Sequence, residues 1–176
     1  MKKVYLSLIL ILSIVLLSGC GYKFDGKKIN LDKEYKDNYI TYKYPSTFKE
    51  KDNKEQYGDK VKVYEYYKDD KLSFILKVEE YSLGLSMSKM EEDAKKIEDD
   101  KENKDLEQNT IKVNGKTMVK YSFKRKDEFG DNTLYYVYYG GYSYMGVREY
   151  IKISLINIEG REDFEKAFLS SFKINK

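Results

Sequence analysis

The chain has 176 residues, 41% hydrophobic and 36% charged, with 33 Lys plus Arg against 30 Asp plus Glu, a length that fits one domain. It contains no His, no Trp and a single Cys, Cys20, which excludes imidazole catalysis, His-based metal sites and any intrachain disulfide. No basic stripe accompanies the small net charge of +3, so nucleic acid is not an expected partner.

Lys2 and Lys3 precede an apolar run over residues 4–17, VYLSLILILSIVLL. That length suits the core of a secretory signal and falls short of the roughly 20 apolar residues of a spanning helix. Leu17-Ser18-Gly19-Cys20 follows, which resembles the bacterial lipobox: a branched residue, two small ones, and a Cys whose thiol takes a diacylglyceryl group before cleavage. Two acyl chains hold a protein stably where one does so only marginally. The expected plan is therefore a lipoprotein signal peptide over 1–19, a lipidated Cys20 with a flexible tether to residue 37, and a globular domain over 38–176. Residues 21–37 are polar and without sustained period, and as a flexible chain they would reach roughly 23 Å from the membrane. Without residues 1–19 the balance is 31 basic against 30 acidic side chains. Abundant Lys, Asn, Ile and Tyr with a single Pro suggest an AT-rich, Gram-positive host, which places the domain on the extracytoplasmic face of the cell membrane.

Beyond residue 38 short alternating segments take over. Residues 39–44 (YITYKY) read as a strand that ends at Pro45. Residues 60–67 and 72–81 are rich in β-branched and aromatic side chains and read as a hairpin. The period changes over 86–101, where Met90, Ala94 and Ile97 mark one helical face, Ser88 and Glu91 form a capping box, and Glu91/Lys95 and Glu92/Lys96 are i,i+4 pairs. Asn114-Gly115 predicts a type I′ hairpin between 110–113 and 116–124. A polar loop over 125–132 leads to a strand at 133–139, a break at Gly140-Gly141, and further strand to about 158. A second helix over 160–169 carries Phe164, Ala167 and Phe168, and Phe172 and Ile174 alternate at the end. Hairpins imply an antiparallel sheet, and two amphipathic helices must bury their stripes on it; the expected class is an α+β sandwich, one antiparallel sheet flanked by two or more helices.

Tyr44-Pro45 closing an early strand, the helix near 86–101, the Val-Asn-Gly-Lys hairpin at 113–116 and the terminal Phe-x-x-x-Phe-x-x-Ser-Phe-Lys-Ile at 164–174 together resemble the PsbP-like superfamily, over about residues 38–174. Bacterial lipoproteins of unknown function resemble that family too. The resemblance implies an α/β/α sandwich and a non-catalytic, accessory or binding role. The metal association of the photosynthetic members does not carry over, since none of their metal-associated residues can be matched here.

Local motifs for catalysis are weak. Ser-x-x-Lys occurs at Ser46, Ser86 and Ser170 without companion motifs, at about the frequency chance gives. The run 141–146 misses the Gly-x-Ser-x-Gly elbow by one residue. Glu79-Glu80, or Glu149 with Asp131, could pair as glycosidase carboxylates only if they faced each other. Asp127, Glu128, Asp131 and Asn132 offer hard oxygens, though not at EF-hand spacing. No enzyme, cofactor or metal is expected. Six tyrosines within residues 135–144 are the most promising feature. Tyr136, Tyr138, Tyr142 and Tyr144 are the candidate binding face, an aromatic platform for an envelope protein partner or, alternatively, a cell-wall glycan or small ligand; the plainer explanation is that Tyr is a strong strand former.

Overall fold

Apolar and polar side chains alternate through most of the chain. The computed structural model, which describes residues 22–56, 59–81, 86–144 and 147–175, accordingly places most of it in strands. Strands β5 (Lys49–Gln56), β6 (Asp59–Lys68), β7 (Lys71–Tyr81), β8 (Lys104–Val113), β9 (Lys116–Asp127), β10 (Gly130–Tyr144) and β11 (Val147–Ile156) form one antiparallel sheet in the order β5-β6-β7-β11-β10-β9-β8. Strands β3 (Lys33–Lys36), β4 (Ile40–Tyr44) and β12 (Lys173–Ile174) make a small sheet in the order β12-β4-β3, and β1 (Tyr22–Phe24) with β2 (Lys27–Ile29) makes a separate hairpin. The helices are α1 (Ser86–Asp99) and α2 (Glu162–Ser171). Among the described residues no helix is long and apolar enough to cross a membrane.

Side chains in a strand point alternately to opposite faces, and here both faces of the large sheet are covered. One face contributes Tyr64, Phe74, Leu76, Val78, Tyr138, Ile151, Ile153 and Leu155 to the main core. The small sheet, the β1–β2 hairpin and α2 close over it with Tyr42, Phe24, Phe164 and Phe168. Phe24 sits edge-on to Phe48, Tyr66, Phe74 and Phe164 at 4.8–5.4 Å between centroids. The other face presents Tyr81, Tyr121, Phe123, Val137, Tyr139 and Tyr150 to α1, which packs Met90, Ala94 and Ile97 against them. The apolar stripe expected on that helix is thus the face it buries.

Two expectations are corrected. Among the described residues strands far outweigh helices, a β-rich fold in three sheets rather than an α+β or α/β/α sandwich. Much of what covers the main core is not helix but the small sheet and the first hairpin. Residues 22–36 are also not a tether: they hold three short strands, and Phe24 is wholly buried. Strands of three or four residues carry no periodic signal of their own and form because distant parts of the chain hold them.

Smaller differences have local causes. Helix α1 starts at Ser86, so Ser88 lies within its first turn rather than at its N-cap. Lys96 and Glu92 meet at 3.0 Å as an exposed pair, worth a few tenths of a kcal/mol at about 0.2–0.5. The loop expected at 125–132 is two residues long, and β10 runs unbroken through Gly140-Gly141. A Cβ at Gly140 would lie 2.9 Å from Cε of Met118, its cross-strand partner, so the thioether end would have to shift to admit one. Asn114 and Gly115 have φ of +47° and +81°, as a type I′ turn requires. Asn114 also donates its amide to the Leu169, Ser170 and Phe172 carbonyls, so the hairpin tip caps the C-terminal end of α2.

Candidate ligand cleft under helix α1

Alternation divides the tyrosine cluster between the two covered faces. Tyr138 is 0% exposed, and its hydroxyl donates to Glu165 Oε1 at 2.6 Å. Tyr142 is likewise buried, directly across from Glu149 in the strand register. Tyr136 is half-buried with the Lys120 ammonium 3.5 Å from its ring centroid. The side chain of Tyr144 lies outside the described residues, as do Leu17, Ser18, Gly19 and Cys20. The open platform expected on Tyr136, Tyr138 and Tyr142 is therefore a correction: Tyr138 and Tyr142 are core, sealed by α2 and the small sheet.

The opposite face leaves a space. Between α1 and strands β9 and β10 lies a cleft of about 370 Å³, floored by Val119, Tyr121 and Tyr139 and walled by Met90 and Ala94. Exposed Glu91, Lys95, Glu98 and Asp99 ring it. Tyr121 donates to Glu98 Oε1 at 2.7 Å and accepts from Gln108 Nε2 at 3.0 Å. Burial and the Glu98 carboxylate push the Tyr121 hydroxyl up to about 12.

Tyr139 differs from its neighbours. It is 3% exposed, and its hydroxyl has no hydrogen-bond partner among the described residues. Burial, and then the charges of Asp93 and Glu79, hold the phenol far above its ordinary range, so it stays a neutral O–H. The charges around it are only partly engaged, since Glu79 Oε2 also has no hydrogen-bond partner among the described residues. Glu79 Oε1 accepts from Tyr81 at 2.7 Å and Lys77 at 2.9 Å, while Lys152 stands 3.6 Å from Asp93 Oδ2. An unmet buried hydroxyl costs about 1–3 kcal/mol. Tyr139→Phe is accordingly expected to raise stability by about 1 kcal/mol in urea unfolding of the ligand-free protein; a loss of similar size would show that the hydroxyl is already satisfied.

The other sequence candidates resolve into structure. Glu79 and Glu80 point to opposite faces of β7, and Glu149 lies at the far end of β10 from Asp131. Asp127 accepts from the Phe129 N–H at 2.8 Å and from the Thr133 and Tyr135 hydroxyls, which consumes both its oxygens. Asp131 pairs with Lys126. Among the described residues no group of three acidic, His or Cys side chains is placed to hold a metal ion. A larger hollow, about 660 Å³, has charged residues, Lys68, Asp69, Lys71 and Glu128, as half of its lining and, among the described residues, lacks a buried orphan group.

Of the four tyrosines expected to form a binding face, Tyr138 and Tyr142 are buried, whereas Tyr136 lines an open hollow of about 560 Å³. The signal that could have found the cleft was present in two pieces, the stripe Met90/Ala94/Ile97 and the alternate tyrosines Tyr135 and Tyr139. No protein-family model matches the chain, and no curated protein matches it.

Proposed function

We propose that this chain is a lipid-anchored extracytoplasmic binding protein, without catalytic activity of its own, whose cleft under α1 takes a small molecule with an apolar body. The observation that carries this reading is the cleft of about 370 Å³ between α1 and strands β9 and β10, with Met90, Ala94, Val119, Tyr121 and Tyr139 forming its apolar lining. A site with an apolar lining and few convergent polar groups is the usual form of a small-ligand pocket. Glu91, Glu98 and Asp99 outnumber Lys95 at the rim and favour a neutral or cationic ligand over an anion. The signal run and Leu17-Ser18-Gly19-Cys20 support the anchor, and the likeness of the 113–116 and 164–174 motifs to PsbP-like proteins supports a binding role.

A photo-crosslinking amino acid at Met90, in the full chain in its native envelope, tests the cleft. Small-molecule adducts that disappear when Ala94→Trp fills the space are expected; a single dominant protein adduct that persists would sink the ligand reading in favour of a docked envelope protein. The anchor is tested separately. Cys20→Ser is expected to abolish acyl labelling and release the protein from the membrane fraction, and unchanged labelling would overturn the lipoprotein assignment.

A further inference from the structure

Strand β1 starts at Tyr22, so Gly21 alone separates it from Cys20 in sequence. Two residues of chain span at most about 7 Å. Strand β1 is fixed in turn: Phe24 is wholly buried, and Asp25 pairs with Arg161 at 2.7 Å. An acyl group on Cys20 would thus leave the domain at one defined place, and one defined face would meet the lipid headgroups.

That face is basic with an aromatic tip. Lys23 and Lys28 stand opposite each other on the β1–β2 hairpin, and Tyr22 is one of only two large hydrophobic side chains exposed among the described residues. Beside them a hollow of about 470 Å³ is lined by Tyr22, Leu31, Lys43, Ser170 and Lys173, with Glu34 opposite Lys43 in the cross-strand register. Lys23, Lys28, Lys43 and Lys173 are all exposed and make no ion pair with any described residue. Of the acids in this region, Asp25 and Asp37 are paired with Arg161 and Lys60, and Asp32 is held by Ser46, which leaves Glu34 as the free one among the described residues. Lysines near an anionic surface attract it, and Tyr suits the headgroup level with its apolar body and polar tip.

We infer that the β1–β2 hairpin, the outer face of the small sheet and the C-terminal end of α2 lie against anionic headgroups of the membrane. This orientation rests on the lipoprotein reading. It sets the α1 cleft on the opposite face of the large sheet, open away from the bilayer.

The chain has no Trp, so a single introduced one reports unambiguously. Ser170→Trp, beside the hollow, and Leu106→Trp, on the exposed edge strand β8, are prepared in the acylated full chain. Each is placed in vesicles of equal parts phosphatidylcholine and phosphatidylglycerol containing a lipid brominated near the glycerol backbone. The tryptophan at position 170 is expected to be quenched and that at 106 not. Replacing the phosphatidylglycerol with phosphatidylcholine, or raising the salt, should remove the quenching. Each of Lys23→Gln, Lys28→Gln and Lys43→Gln should weaken the docked state about fivefold. Equal quenching at both positions, or none at 170 in protein whose mass shows the acyl group, overturns the orientation and leaves the lipoprotein reading standing. A mass without the acyl group in protein from its own host overturns that reading and the orientation with it.

Discussion

Arg161→Ala is expected to destabilise the protein by about 3–5 kcal/mol, the cost of removing one partner from a buried ion pair. Arg161 is 7% exposed and Asp25 is nearly as enclosed. One guanidinium nitrogen, Nη2, meets Asp25 Oδ1 at 2.7 Å and Ser73 Oγ at 2.8 Å. The other, Nη1, donates to the carbonyls of Asn157 and Glu159. Its plane lies 5.1 Å from the Phe24 ring and 5.9 Å from that of Phe74. Truncation would strand the Asp25 charge in an apolar setting and unpin the first hairpin from the core. Arg161→Lys should recover little, because an ammonium cannot reproduce the planar fork. Arg161→Met combined with Asp25→Asn should recover more, since it removes both charges. Denaturant unfolding followed by circular dichroism measures all three; a loss below about 1 kcal/mol for Arg161→Ala would show that the pair is solvated in the native protein. The same variant should free residues 22–36 from the core, turning them into the tether that their composition suggests.

Glu80→Gln is expected to stabilise the protein at neutral pH and flatten its pH dependence. Glu80 lies near the end of β7, where its carboxyl couples electrostatically to that of Asp37 in the β3–β4 turn. Asp37 is saturated with donors: the N–H groups of Tyr39 and Ile40, the Tyr35 hydroxyl and the Lys60 ammonium. Burial works against its charge, yet these donors hold it down at about 2. Glu80 is 4% exposed, and burial first, then the Asp37 charge, with a smaller push from Glu149, raise it to about 8 against the partial relief of Lys60. Between the ordinary Glu value of 4.5 and about 8, the folded protein keeps a proton that the unfolded chain has lost. Stability therefore falls as pH rises through that window and levels off above it. Asp37 acts oppositely, with its contribution present above its ordinary 3.8 and lost as pH drops toward about 2. A glutamine at position 80 holds no titratable proton, so the gain should approach about 3 kcal/mol at pH 7 and vanish near pH 4. Parallel stability curves for the two proteins between pH 5 and 8 would contradict the raised Glu80 value.

Elements with strong local chemistry are legible in the chain of residues alone. The Asn114-Gly115 turn, the 60–67/72–81 hairpin, the apolar stripe of α1 and the Phe164/Ala167/Phe168 face of α2 all stand where the sequence puts them. Elements whose stability comes from elsewhere are not. Strands β1, β2 and β3 are too short to show a period, and β5 (KEKDNKEQ) carries hardly an apolar side chain. They are held by Phe24 in the distant aromatic core, by Asp25 on Arg161, and by pairing with β6.

The candidate site divides in the same way. Alternation alone separates Tyr136 and Tyr138 from Tyr135 and Tyr139, because successive side chains on a strand must take opposite faces. What each of those faces meets depends on what packs over the sheet: residues 22–44 and 162–174 cover most of one side, leaving a hollow of about 560 Å³ beside Leu134 and Tyr136, and α1 packs on the other. The signal run, the lipobox-like motif, the absence of His and the local turns are properties of neighbouring residues, so the sequence by itself determined them. The share of strand, the burial of Tyr138, the orphaned Tyr139 hydroxyl and the burial of Glu80 near Asp37 arise only where segments far apart in the chain exclude water together, and only the tertiary structure decided those.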